Sequence, residues 1–290
     1  MFEQFIESLR QQGKSELTLR QYRSDWNRFY RWIQSETGEL TDGQEVTQLD
    51  VANFKRWASQ HYKPRTVSLN LVHLSVYYRW LVNQGVIPDN PCDNVDPVTV
   101  QQTAPKWLSR NEQNTLVRAV RKHGNARELA IITVLLHTGI RVQELCDLRL
   151  RDVQLGERKG QLIVQNGKGG KYRVIPLNLD ARKVLQDYLS ERQSDSHYVF
   201  ITQRSPKMTP RAVQFILAKY SLLTGIEVTP HILRHSFCHE LAVRNVPLDV
   251  IARLAGHTKK DGTPNLAMVT RYTMPSQDDL ARAVEQLSWK

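Results

Sequence analysis

"IPDNPCDNVDPVTVQQTAPK", residues 87–106, contains four prolines and neither a helical nor an alternating apolar period. Proline fixes φ and withholds an amide donor, so no regular element runs easily through such a stretch. It reads as a linker, 87–106, between a first domain at 1–86 and a second at 107–290. A chain of 290 residues has room for two domains of ordinary size, each with its own core.

Upstream of the linker the pattern is helical. "TLRQYRSDWNRFYRWIQ" (18–34) repeats Leu19, Tyr22, Trp26, Phe29, Tyr30 and Ile33 at three- and four-residue steps. "TVSLNLVHLSVYYRWLVNQG" (66–85) behaves in the same way and stops at Gly85, where a C-terminal cap is expected. At that spacing the aromatics are expected to form a core rather than to stack on bases. The first domain is expected to be a small all-helical bundle.

Downstream, Ser109 and Glu112 fit a capping box that opens a helix. A second helix, near 127–137, halts at "HTGI", and another begins near Arg141. "QLIVQNGKGGKYRVIPL" (161–177) places two β-rich segments around a Gly-rich turn, a hairpin signal. Helical patterns then resume. The fold class expected is mainly α, a helical bundle followed by a mixed α/β domain with one small antiparallel sheet.

The net charge of +11 is unevenly placed. Residues 1–105 carry 11 Lys and Arg against 12 Asp and Glu, whereas residues 106–290 carry 29 against 17. An excess confined to one part favours a polyanion, most commonly nucleic acid, since each phosphate neutralised releases counterions. The three cysteines, Cys92, Cys146 and Cys238, have no paired spacing, which suggests a reducing compartment. The longest apolar run, "LAIITVLL" (129–136), is too short to span a bilayer, and the N-terminus lacks a signal peptide's apolar core. A soluble cytoplasmic protein with no membrane partner is expected.

Several short stretches carry chemistry-bearing residues. In "HTGIRVQELCDLRLRDV" (137–153), Arg141 opens a helix after a Gly turn with Glu144 one turn on, which by itself is an ordinary i, i+3 pair. In "QNGKGGKYR" (165–173), Lys168 stands at the hairpin tip, by default a solvated turn lysine. "TPHILRHSFCHEL" (229–241) sets His231 and Arg234 one turn apart. His231, His235 and His239 also recur at i, i+4 and i+8 near Cys238, but no acidic or thiolate cluster stands elsewhere, so no metal and no cofactor is expected. In "LAGHTKKDGTPNLAMVTRYTMPS" (254–276), Tyr272 follows His257 by fifteen positions.

Taken in order, "TGIRVQEL", "GKGGKYRVIPL", "HILRHSF", "LAGH" and a Tyr near the C-terminus resemble the tyrosine recombinase family of the lambda-integrase and Xer type. The resemblance covers essentially the whole chain and implies that the first domain is a SAM-like core-binding domain and the second the catalytic one. It implies that Arg141 and Arg234 grip the scissile phosphate, with Glu144 supporting Arg141. Lys168 would be the general acid to the departing 5′ hydroxyl. His231 and His257 would complete the phosphate-binding and proton-transfer set, and Tyr272 would be the nucleophile forming a 3′-phosphotyrosyl link. Of the ten tyrosines only Tyr272 follows the whole constellation.

Physical chemistry agrees with those roles. In-line attack on a phosphodiester builds negative charge on its nonbridging oxygens, which two guanidinium forks suit well. A Tyr hydroxyl, with a pKa of about 10, needs a base or nearby positive charge, and His257 or His231 could serve. One ester replaces another, so religation needs no ATP.

The partner expected is double-stranded DNA, held in a synaptic homo-tetramer that works through a Holliday junction; accessory proteins are unknown. In the nearly neutral first domain, local residues such as Arg20, Arg23, Lys63 and Arg65 are expected to touch DNA, and in the second Lys171, Arg173 and Arg211. No arm-binding domain is expected ahead of the bundle, which favours a compact Xer-like or mobile-element enzyme. Two departures from the family pattern stand out. "KKDGTP" (259–264) looks like an insertion of about six residues, either an inert loop or one that touches DNA or a neighbouring subunit. Ala255 stands where the family often has Leu, a change expected to be harmless. After Tyr272, Ser276 and Asp279 form a capping box for a terminal helix with Leu280, Ala283, Val284 and Leu287 on one face, expected to pack into the next protomer or on its own domain. The rivals are a type IB topoisomerase and a DNA-binding regulator without catalysis.

Overall fold

The computed structural model describes residues 1–38, 43–100, 105–167, 171–259, 261–272, 284, 285 and 287. The chain divides into two compact units, Met1–Gln102 and Thr103–Lys290.

The first unit holds α1 (Phe2–Gln11), α2 (Glu16–Thr37), α3 (Gln48–His61) and α4 (Pro64–Asn83). Local chemistry sets their ends. The Ser15 side chain accepts from the Thr18 amide, Thr47 and Asp50 form a reciprocal capping box, and Pro64 occupies the first turn of α4. The periodic aromatics face inward: Phe5, Phe29, Phe54, Tyr77 and Tyr78 are buried, and Trp26 meets Tyr77 edge-on at 4.7 Å between ring centroids. One acid lies among them. Asp25, 1% exposed, takes hydrogen bonds from His73 Nδ1 (2.6 Å) and Arg28 (2.8 Å), while Asn70 donates to its backbone carbonyl. Burial pushes its carboxyl up, but the bonds from His73 and Gln21 outweigh it and hold the group below its ordinary value.

The first part of the proline-rich stretch is tied to the first unit. Val86, Ile87, Cys92 and Val98 pack on the first core, and Lys55 donates to the Asp96 carbonyl at 2.7 Å. Leu108 is buried in the second core, and its amide donates to Ser236 Oγ at 2.8 Å.

In the second unit, α5 (Arg110–His123) opens on the Ser109–Glu112 capping box and is followed by α6 (Ala126–Thr138) and the short α7 (Val142–Asp147). Helix α6 is central: Ala130, Ile131, Ile132, Val134 and Leu135 are fully covered, by α5, α8 (Leu179–Glu191) and α10 (Pro230–Val243) among others. Burial on several sides explains why its apolar run has so little periodicity. Strands β1 (Val153–Leu155), β2 (Gly160–Gly167) and β3 (Lys171–Pro176) form one antiparallel sheet in that order, with Leu162 opposite Ile175. The expected hairpin is β2–β3; the short β1 adds a third strand. Helix α9 (Pro210–Thr224) precedes α10, and α11 (Leu248–Ala255), α12 (Leu266–Val269) and a 3-10 turn Thr270–Tyr272 follow. Phe237, Cys238, Ile251, Ala252, Ala255, Val269 and Tyr272 make a second, smaller core that carries the site. No helix among the described residues is long and apolar enough to cross a membrane. The expected terminal helix, opening at Ser276, falls outside the described residues apart from 284, 285 and 287.

Candidate active site

Helix α11 ends at Gly256, whose φ of 66° is left-handed. The last carbonyls of a helix have no partner within it and form the negative end of its dipole. Here successive carbonyls are each taken by a different arginine. Leu254 O accepts from Arg173 Nε at 3.0 Å, Ala255 O from Arg234 Nη2, and Gly256 O from Arg141 Nη2 at 3.0 Å. The three side chains come from β3, from α10 and from the residue that caps α7, so one helix end gathers guanidiniums distant in sequence. Glycine is required at 256 twice over: by its φ, and because a Cβ there would stand 2.7 Å from Arg173 Nη1.

Glu144 supplies the counter-charge. Its Oε1 accepts from Arg173 Nη1 (3.0 Å) and Arg141 Nη1 (2.8 Å), and its Oε2 from Arg173 Nη2 (2.7 Å) and the Arg141 amide (2.7 Å). Burial raises its carboxyl's pKa, but Arg173 and then Arg141 overcome this and bring it down to about 2. Arg234 is 5% exposed and also donates to the Gly139 carbonyl. Burial and then the neighbouring Arg141 lower its pKa to about 10, which leaves it cationic at neutral pH. Gly139 is fixed by the same logic as Gly256, since a Cβ there would meet the Phe237 ring at 2.3 Å. Three guanidiniums against one carboxylate leave an excess of positive charge, and Arg141, 34% exposed, is the arginine of the cluster most open to solvent. Such an arrangement suits an anion with several oxygens.

Tyr272 sits beside this cluster, 3% exposed. Its ring lies parallel to that of His257, 6.0 Å between centroids and 11° between planes. Its hydroxyl meets His235 Nδ1 at 3.0 Å, and its backbone carbonyl meets His239 Nδ1 at 3.1 Å. His239 in turn stacks on Trp107 at 4.0 Å. Burial and then Cys238 raise the phenol's pKa to about 12, so the resting group holds its proton. Burial, with Arg234 and Arg141, lowers His257 to about 3, and its buried Nδ1 has no hydrogen-bond partner among the described residues.

Arg141, Glu144, Arg234, His257 and Tyr272 thus meet in one place. His231 is exposed at the start of α10, its ring centroid 6.4 Å from that of His235. Lys168 and the side chain of Lys171 lie outside the described residues. Arg173, expected to touch DNA, instead turns its guanidinium inward onto Glu144 and Leu254, because a buried carboxylate and an orphan carbonyl offer it fixed partners. On the first unit Arg20, Lys63 and Arg65 are exposed, whereas Arg23 pairs with Glu3 at 2.7 Å. Arg211 is exposed in the first turn of α9. Sequence reasoning gave His235 only a metal reading and missed its contact with Tyr272. The signal available was its register, one turn before His239 and next to Arg234.

The "KKDGTP" stretch closes on itself. Thr258 pairs with Pro264, Lys259 N donates to Thr263 O at 2.8 Å, and Asp261 accepts from the Thr263 amide at 2.9 Å. Asn265 N then reaches His257 O at 2.7 Å, so the two ends of the loop lie side by side. Lys260 is outside the described residues.

Residues 106–278 match the phage integrase family, and residues 2–85 match the phage integrase N-terminal SAM-like domain. The chain is 30% identical over 291 residues to tyrosine recombinase XerA of Pyrococcus furiosus, covering 99% of this chain and 96% of that one. It is 27% identical over 296 residues to the TnP I resolvase of Bacillus thuringiensis, covering 98% of each. Among solved structures, XerH site-specific recombinase bound to palindromic difH in a post-cleavage complex superposes with a TM-score of 0.78 at 19% identity, covering 93% of this chain and 79% of that one. That last likeness is one of fold.

Proposed function

Since the chain belongs to the phage integrase family of tyrosine recombinases, we propose that it is a site-specific DNA recombinase working through a 3′-phosphotyrosyl intermediate. The observation that carries this reading is the pinning of Arg141 and Arg234 to successive carbonyls, Gly256 and Ala255, next to His257 and Tyr272. In this account the phosphodiester lies against the two guanidiniums, which neutralise the charge that builds on its nonbridging oxygens. Glu144 holds Arg141 from behind, His257 and His231 serve the phosphate, and Lys168 protonates the departing 5′ oxygen. Tyr272 Oη attacks phosphorus; the P–O5′ bond breaks and the protein–DNA ester conserves the bond energy. A 5′ hydroxyl from the other duplex then attacks that ester and releases Tyr272.

The first unit is read as the core-binding domain, with Arg20, Lys63 and Arg65 open to phosphates. The active form is read as a tetramer: two duplexes have four strands to cut and each protomer carries one such tyrosine. Its place is the cytoplasm, in keeping with three free thiols. Whether the reaction integrates, excises or resolves depends on the DNA sites.

A pool of duplexes with randomised sequence around a nick, placed so that the short fragment leaves after cleavage, tests the reading. Wild type is expected to give a denaturant-stable covalent adduct with one family of sequences, and Tyr272→Phe none. No adduct from wild type, or an adduct persisting in the variant, overturns it.

A further inference from the structure

We infer that His235 is a catalytic residue, the general base that takes the Tyr272 proton as the hydroxyl attacks DNA. The inference rests on the reading of Tyr272 as nucleophile and adds to it a residue assigned to no role in the proposed mechanism.

Geometry comes first. A general base must lie within about 2.6–3.2 Å of the atom whose proton it removes. His235 Nδ1 lies 3.0 Å from Tyr272 Oη. The other two histidines weighed for this task are placed differently. His257 lies parallel to the Tyr272 ring, at 11° and 6.0 Å between centroids, and its buried Nδ1 makes no hydrogen bond among the described residues. His231 is exposed one turn earlier on α10 and meets the ring of His235 rather than the phenol. His239, one turn later, holds the backbone carbonyl of Tyr272 at 3.1 Å. One face of α10 therefore grips this single residue at both its side-chain and its main-chain oxygen.

The electrostatics are compatible. Burial, and then His231, Arg234 and Arg271, lower His235's proton affinity to a pKa of about 4, so at neutral pH the ring is uncharged, and in its Nε2–H tautomer Nδ1 turns a lone pair to the phenol. In the resting protein transfer from the phenol is uphill. A phosphodiester bound by Arg141 and Arg234 brings a negative charge beside the imidazole, which favours the imidazolium, and Oη becomes far more acidic as its bond to phosphorus forms. The step balances: Oη–P forms, P–O5′ breaks, the Oη proton passes to Nδ1, and the 5′ oxygen takes a proton from the general acid. In the return step the 5′ hydroxyl attacks and gives its proton back to the group that had served as general acid, the Oη–P bond breaks, and the imidazolium returns its proton to Oη.

The test uses the full chain and a nicked duplex of the sequence captured by wild type, measuring single-turnover adduct formation. His235→Ala is expected to slow it by about 100-fold or more. A polyfluorinated tyrosine at 272, acidic enough to ionise near neutral pH despite the upward push of burial in this site, needs no base and is expected to restore most of that loss in His235→Ala while changing wild type little. If His235→Ala fails to fold, as seen by circular dichroism, His235→Asn keeps the acceptor without the basicity and carries the same expectations. Unchanged adduct formation in the variant, or a loss that the fluorinated tyrosine does not restore, overturns the proposal. Failure of wild type to form an adduct at all would instead count against the nucleophile.

Discussion

Arg173 and Glu144, 29 residues apart in sequence, meet in a two-point ion pair: Nη1 to Oε1 at 3.0 Å and Nη2 to Oε2 at 2.7 Å. The pair ties β3, and with it the hairpin, to the helix that Arg141 caps. Removing one partner of a buried pair costs about 3–5 kcal/mol, and the low end applies here because Glu144 keeps its two bonds from Arg141. Arg173→Ala is therefore expected to lower the unfolding free energy in urea by about 3 kcal/mol, and Arg173→Lys to recover only part, because an ammonium cannot span both oxygens. A loss below about 1 kcal/mol for the Ala variant, the range of exposed pairs, would show the contact to be ornamental.

Gly256 and Gly85 give a matched comparison. Both have positive φ, 66° and 70°, but a Cβ at 256 would stand 2.7 Å from Arg173 Nη1 whereas nothing lies within 4 Å at 85. Gly85→Ala should cost only left-handed strain, about 1–2 kcal/mol. Gly256→Ala should cost more and also slow adduct formation, since all three arginine anchors lie at this turn. Equal losses at the two positions would contradict the crowding argument.

Acid should weaken the second unit in two stages. His257 (about 3) and His235 (about 4) are held below the ordinary 6.5, so the stability gained from their neutral forms is present above pH 6.5 and fades as pH falls toward those values. Glu144, at about 2 against 4.5, contributes stability present above pH 4.5 and lost as pH drops toward 2. Urea midpoints measured from about pH 7 to 4 should decline, and less steeply in His257→Gln, which removes one of the titrating groups. A flat profile in wild type would contradict the burial of neutral imidazoles.

Much of the site was legible because its parts are local. "TGIR" and "LAGH" are left-handed glycine turns at helix ends, "HILR" is one helical turn, and each fixes a side chain within a few residues of its motif. The helices α2 and α4 were legible from their aromatic period. Helices α1 and α3 are less legible, although α3 buries Val51, Phe54 and Ala58 at helical steps, and three-residue β1 is too short to show a period. What sequence could not show was which long-range partner a polar residue would find. Arg173 on a hairpin looks like any solvated cation until Glu144 and the end of α11 are brought to it, and His235 resembles a metal ligand until Tyr272 folds back against it.

The buried acid of the first unit makes a separate expectation. Asp25 joins α2 to α4 through His73 and is 1% exposed. Asp25→Ala strands the His73 and Arg28 donors and should destabilise that unit by about 3 kcal/mol. An unchanged melting transition for the variant would show that the contact contributes nothing net.

The most direct test of the whole account is the identity of the residue that carries DNA. Adduct formed on a nicked duplex, trimmed by nuclease and digested with trypsin, should show the added nucleotide mass on the peptide containing Tyr272, with a 3′-phosphate link. That mass on any of the other nine tyrosines, or on a serine, would contradict it.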